Sequence, residues 1–214
     1  MTNNFELIEK YMIDEGIPFD KDKCGDKFFA IMLLRRGKDH KNLSAANYTF
    51  KSYYVDSIEK LNIIKNEIIT CCDMFGLRSY VSVNIKSKET FSKMCAAKFA
   101  HNILNNEYKK PWAVIDHAFG KCPIANEKTW IIDLDDVNKD STLIKEVIAT
   151  ILRCKSKYPN PIVGMIPTRT GIHILTRPFA LDEFNKYWKD EQTIDVPDIK
   201  KDHITLLYEN LNNE

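Results

Sequence analysis

The six cysteines of this 214-residue chain include no C-x-x-C pair, and its five histidines include no His-x-His. The first absence argues against a zinc site. The thiols (Cys24, Cys71, Cys72, Cys95, Cys122 and Cys154) are scattered without the spacing of a disulfide framework. Reduced thiols in a cytoplasmic protein are the simplest reading. No apolar run approaches the roughly 20 residues of a membrane span. The N-terminus, with Glu6 and Glu9 among its apolar residues, does not read as a signal peptide, so no membrane partner is expected. Glycine (7) and proline (8) are sparse beside 44% hydrophobic and 29% charged residues, which excludes a low-complexity or disordered chain. Charge of one sign is also lacking. The formal net charge is +1, so any groove that attracts nucleic acid must be local. What remains is a globular chain able to bury a real core, as one domain of two closely packed lobes, about 1–110 and 111–214.

Periodicity predicts the elements. Phe5, Ile8, Tyr11 and Met12 mark a helix over 5–15 that stops at Gly16. Phe28 to Leu34 reads as a buried strand ending in Arg35-Arg36-Gly37. That basic pair is first a solvated strand end and second a phosphate contact. A strand over 50–55 leads through Asp56-x-x-Glu59, a capping-box pattern, into a helix striped by Ile58, Leu61, Ile64, Ile68 and Cys72 that ends near Gly76. Between Arg78 and Lys86, Val81, Val83 and Ile85 point one way, while Arg78, Tyr80, Ser82, Asn84 and Lys86 point the other. Two cations, a ring and short polar groups on one face suit sugar-phosphate and base contacts, although an ordinary solvated sheet face has the same composition. Lys88 and Lys93 extend that patch onto a helix over about 89–106. Residues 107–127, with Pro111, Gly120 and Pro123, read as an irregular connection. Asp140 or Ser141 caps a helix over 143–152. Strands over 162–166 and 172–176 form a hairpin turned at Thr168-Arg169-Thr170-Gly171, followed by a helix over 181–189. Two short apolar stretches, 193–196 and 204–208, end the chain. The fold class is α/β (α+β), with mixed or antiparallel sheets flanked by helices.

The chemistry gathers on Trp130-Ile131-Ile132-Asp133-Leu134-Asp135-Asp136. As a strand, this stretch puts Ile131, Asp133 and Asp135 on one face and Trp130, Ile132 and Leu134 on the other. Carboxylates at i and i+2 stand about 6.5–7 Å apart and could together ligate a pair of divalent cations about 4 Å apart. Without a positive partner they would repel each other beside an apolar surface. The plain alternative is a strand running out into a solvated turn.

Three features follow in order: the Asp-x-Asp strand, Gly171-Ile172-His173 after a basic turn, and Asp195 after the apolar Ile194. This order resembles the catalytic core of the archaeo-eukaryotic primase superfamily, which contains the primases and primase-polymerases. The layout, including the tract Ser52-Tyr53-Tyr54, is similar to that of short phage-encoded members. The motif-bearing resemblance covers roughly residues 128–208. It implies a primase-like core with an RRM-like unit, in which Asp133, Asp135 and Asp195 hold Mg²⁺ or Mn²⁺ and His173 contacts the triphosphate of an incoming nucleotide. Asp198 is the alternative to Asp195 as third acid. Lys200, Lys201 and His203 would match the basic, His-containing segment that follows the third motif in some members. The implied activity is DNA primase or primase-polymerase nucleotidyl transfer during DNA replication, in the cytoplasm of a bacterium or phage-infected cell. Its substrates would be NTPs or dNTPs, its template single-stranded DNA, and a separate helicase or replication protein its partner.

The chemistry independently calls for groups on the triphosphate, which Arg169 and His173 would supply if the hairpin strand lies beside Asp133. A second reading is a catalytically silent nucleic-acid-binding replication module on the same fold. A third, a rolling-circle nicking enzyme, would need the missing His-x-His.

Overall fold

The computed structural model describes residues 1–37, 47–108, 112–138, 141–191 and 196–210. Two antiparallel sheets organise it. The continuous apolar run becomes β2 (Lys27–Arg35), which lies inside the larger sheet because both its faces have something to bury against. The order in that sheet is β1 (Thr2–Asn3), β10 (Ile204–Glu209), β4 (Arg78–Ser82), β2, β3 (Tyr48–Val55), with β5 (Lys86–Ser87) also pairing with β2.

On one face, α1 (Phe5–Asp14) and α2 (Ile58–Phe75) bring Ile8, Met12, Leu61 and Ile68 against Ile31, Leu33 and Val81, all buried. Each such side chain contributes about 1.5–3 kcal/mol by leaving water. The N-cap of α2 is Ser57, whose hydroxyl accepts from Lys60 N, rather than the expected Asp56. Asp56 instead pairs with Lys60 and Lys88. The expected stop at Gly76 is met in the left-handed region (φ 60).

Residues 107–127 are not irregular throughout, because they contain α4 (Trp112–Lys121). Its pattern was obscured by Pro111, Gly120 and Pro123, yet Val114, Ala118 and Cys122 recur at helical spacing and are buried. α4 packs beside α3 (Lys88–Leu104), where the rings of Phe28, Tyr54, Phe91 and Phe119 form one cluster with centroids 5.3–6.3 Å apart.

The smaller sheet is built from β6 (Trp130–Leu134), α5 (Thr142–Arg153), β7 (Ile162–Pro167), β8 (Ile172–Thr176), α6 (Leu181–Glu191) and β9 (Asp198–Lys200). A β-α-β-β-α-β succession in the spatial order β7-β8-β6-β9 is the split β-α-β arrangement of an RRM-like unit. Ser141 caps α5, accepting from Leu143 N, and the alternative cap, Asp140, lies outside the described residues. The alternation read from the sequence holds. Trp130, Ile132, Leu134, Ile172 and Ile174 pack under α5 and α6, against Ile144, Val147, Ile151, Phe184 and Trp188. Ile131, Ile166 and Leu175, on the opposite face, join the core of the larger sheet.

The division expected near residue 110 follows the sheets only in part, because β10 returns from the C-terminal region to pair with β4 and β1. Its sequence, Ile204 to Tyr208, is apolar enough to be an interior strand, and the short β1 leaves it room. Polar staples then join the sheets. The Asn4 amide donates to Leu206 O (2.9 Å) and Pro167 O (2.8 Å). Asn84 accepts from Thr129 N (2.8 Å) and donates to Thr129 O (3.1 Å). Glu15, at the end of α1, pairs with Arg177, just after β8. No helix among the described residues is long and apolar enough to cross a membrane.

Candidate functional site

Strand register sets the site. Asp133 is opposite His173 on β8 and opposite Asp198 on β9, so the three form one row across the sheet on a single face. His173 Nε2 lies 3.0 Å from Asp133 Oδ1. His173 Nδ1 is hydrogen-bonded to Thr205 Oγ1 on β10 at 2.8 Å, so the larger sheet orients the ring of a residue from the smaller one. Lys200, two residues along β9 from Asp198, turns diagonally to pair with Asp133 Oδ2 and sits 3.6 Å from Asp198.

Asp133 is nearly enclosed, with only 12% of its side chain exposed. The His173 imidazole first, and then the Lys200 ammonium, hold its carboxyl well below the usual carboxylate range, against the opposing effect of burial. Burial alone would lower the Lys200 pKa, but Asp133, Asp198 and Asp135 together outweigh it and raise it. His173 on Oδ1 and Lys200 on Oδ2 thus hold the carboxylate from two sides.

Asp135 stands just past the end of β6, where the chain turns away through Asp136 in the left-handed region (φ 55). Gly171 makes this approach possible. A Cβ on Gly171 would lie 1.9 Å from Leu134 O and 3.0 Å from Asp135 Cα. The small residue two before His173 therefore has a steric cause: β8 begins pressed against the backbone that carries the acids. The turn itself closes through Thr168 N to Gly171 O (2.9 Å) and Gly171 N to Thr168 Oγ1 (3.1 Å).

These groups line a cleft of about 470 Å³ between the sheets. The smaller sheet and its turns contribute Asp133, Asp135, Arg169, His173, Lys200 and His203. The opposite wall is Leu34, Arg36, Asn47, Arg78, Tyr80 and Leu206. Arg36 Nη1 donates to the Tyr80 hydroxyl (3.1 Å), and buried Glu209 sits between Arg78 (3.2 Å) and Arg169 (3.5 Å). One end of the cleft is thus acidic and the other rich in guanidinium, a combination suited to a ligand carrying phosphates beside a cation.

Not every expected residue reaches it. Asn84 and Lys86 do not continue the open face of Arg78 and Tyr80, because β4 ends at Ser82 and the chain bends before β5. Both are buried, and both bind Asp202 at 3.0 Å; Lys86 also donates to Cys122 O (2.9 Å). Their polarity serves the interior, where a charge needs a partner. Lys88 and Lys93 are paired with Asp56 and Glu89. Lys201 lies over the Trp130 ring, 5.5 Å from its centroid, and is not among the residues lining the cleft. Asp195 lies outside the described residues. Asp198, the alternative acid, is the one that register places beside Asp133. Sequence reasoning missed Thr205, whose only signal was a polar residue inside an apolar strand, and Asn47, which carried none.

Among the described residues no three His, Cys, Asp or Glu side chains converge as a metal cage. The donor set nonetheless fits a hard cation of the Mg²⁺ type, which is usually held by one or two carboxylates and completed by water and substrate phosphates. Asp133 and Asp135 bring two carboxylates to one cleft, the first of them nearly enclosed. Compared with protein-family models, with curated proteins and with solved structures, the chain matches none.

Proposed function

We propose that this chain is a metal-dependent nucleotidyltransferase of primase or primase-polymerase type, joining NTPs or dNTPs on a single-stranded DNA template in replication. The observation that carries the reading is the union of Asp133, Asp135 and His173 in one cleft whose far wall presents arginine. Asp133 and Asp135 would hold Mg²⁺ or Mn²⁺. When bound, the cation would make a 3′-hydroxyl a better nucleophile and offset charge on departing pyrophosphate.

The remaining roles belong to the chain itself. His173, oriented by Thr205, holds Nε2 against Asp133 at the wall of the cleft, from where it would turn to a phosphate oxygen of the incoming nucleotide. Arg169 at the hairpin tip and Arg36 on the facing wall supply charge for the triphosphate, and Tyr80 offers a ring for a base. The close packing of Gly171 keeps the acidic turn and the hairpin at constant separation.

The purified protein is expected to incorporate labelled nucleotide on a single-stranded template with Mg²⁺ or Mn²⁺. Replacing Asp133 and Asp135 together by Ala should reduce this by about 10³-fold or more, with the far-ultraviolet circular dichroism unchanged. Wild type and double mutant behaving alike across templates, metals and all eight nucleotides would sink the enzyme reading.

One observation favours a second reading, a catalytically silent nucleic-acid-binding module. Lys200 already neutralises Asp133, so the carboxylate has a partner without any metal. Such a module would bind single strands with equal affinity in EDTA and in Mn²⁺, and would incorporate nothing.

A further inference from the structure

The Lys200 ammonium occupies the side of Asp133 that a cation would need. It rests on Oδ2, while Oδ1 faces His173. Its carbon stem crosses from β9 to β6 along the diagonal between Lys200 and Asp133, which lie two residues apart in register. The lysine side chain keeps 27% of its surface exposed, whereas that of Asp133 keeps 12%, so the cation can leave the pair by rotating into the cleft while the carboxylate cannot follow. The cleft it would enter is the one lined by Arg169 and His203.

Two positive charges at one carboxylate oppose each other, and inside a partly dry cleft that opposition is strong. On the nucleotidyltransferase reading of this cleft, we propose that Lys200 is a built-in occupant of the cation position at Asp133, displaced when a divalent cation arrives with a nucleoside triphosphate and then paired with the triphosphate. The lysine keeps Asp133 satisfied in the empty protein, weakens binding of the cation alone, and couples cation to nucleotide by offering its released charge to the phosphates. Asp198, 3.6 Å from the same ammonium, is a second anchor that slows the exchange no more than a surface carboxylate does, since most of its side chain is exposed.

The test is titration of Mn²⁺ alone, followed by electron paramagnetic resonance of the free ion, on wild type, Lys200→Met, Lys200→Gln and Lys200→Arg. Lys200→Met and Lys200→Gln should bind Mn²⁺ about 10-fold tighter than wild type, and Lys200→Arg should keep the weak wild-type affinity. Melting provides a second readout. Without metal, Lys200→Met should melt below wild type, because Asp133 loses its partner, and added Mn²⁺ should raise its Tm by more than it raises that of wild type. The Gln variant keeps a donor for Oδ2 without the charge, so it reports even if the Met variant folds poorly. Mn²⁺ affinity that is equal or weaker in both neutral variants overturns the proposal and leaves the enzyme reading standing. Mn²⁺ bound by no variant, with or without a non-hydrolysable nucleoside triphosphate, overturns both.

Discussion

Asp133 accepts one of the few charges that the smaller sheet keeps inside, and its environment has a pH signature. Its carboxyl is held below the ordinary range, so the ionised form is favoured by folding and contributes stability above the unfolded value of about 4. That contribution disappears as acid carries the pH down through the folded-state value. Lys200, shifted the opposite way, contributes below the unfolded lysine value of about 10.4 and loses its contribution as the pH rises past the folded-state value. Asp133→Asn should therefore cost about 1–3 kcal/mol at neutral pH. The deficit should be level between about pH 5 and pH 10 and shrink below about pH 4. Denaturant titrations across that range measure it; a gap that does not begin to narrow as the pH falls from about 4 to about 2 would remove the ion pair from the account.

Elements carry the next level of the argument. β8 meets β6 so closely at Gly171 that a methyl group would collide with the Leu134 carbonyl, which is backbone and unable to swing aside. Gly171→Ala should cost about 1–3 kcal/mol and impair nucleotide incorporation more than this loss of stability explains, since relief of the clash moves the Asp135 turn or the His173 strand. Urea unfolding beside the incorporation assay separates the two effects; wild-type values in both would show that the contact is compliant.

Much at this level was legible beforehand. The alternation of Trp130 to Leu134 named both faces of β6, and the parity of Ile172, His173 and Ile174 separated the imidazole from the apolar pair; the pairing of β8 with β6 then put it on the acidic side. Those patterns are local, and a strand sandwiched between two cores must obey them. Asn84 and Lys86 were misassigned for the opposite reason. The strand breaks after Ser82, and an exposed carboxylate from the far end of the chain, Asp202, reaches in to claim both side chains. No periodicity within one segment reveals a partner more than 100 residues away. α4 was missed because proline and glycine bracket a helix whose buried stripe is only a few residues long.

For the whole molecule, a formal net charge of +1 hides a strongly uneven cleft. Arg36 faces it across from Asp133 and Asp135, with Lys200 held on Asp133 and Arg78 and Arg169 on Glu209, whereas Lys93 on α3 lies outside it, paired with Glu89. Single-stranded oligonucleotide binding should accordingly weaken with salt. Arg36→Ala should flatten the slope of log affinity against log salt by about 0.7, the share of one phosphate contact, while Lys93→Ala leaves it unchanged. Fluorescence anisotropy measures both. A slope altered equally by the two would mean that binding follows overall charge and not the cleft.

The staples between the sheets bear on how such a cleft could work. Asn4, Asn84 and the Glu15–Arg177 pair tie the two halves together at three separate places, two of them through backbone that cannot slide without losing hydrogen bonds. A jaw fastened this way does not swing. On the proposed function, entry and exit would be left to rotating side chains, and nucleotide incorporation should respond to the reach of single residues at the mouth far more than to solvent viscosity.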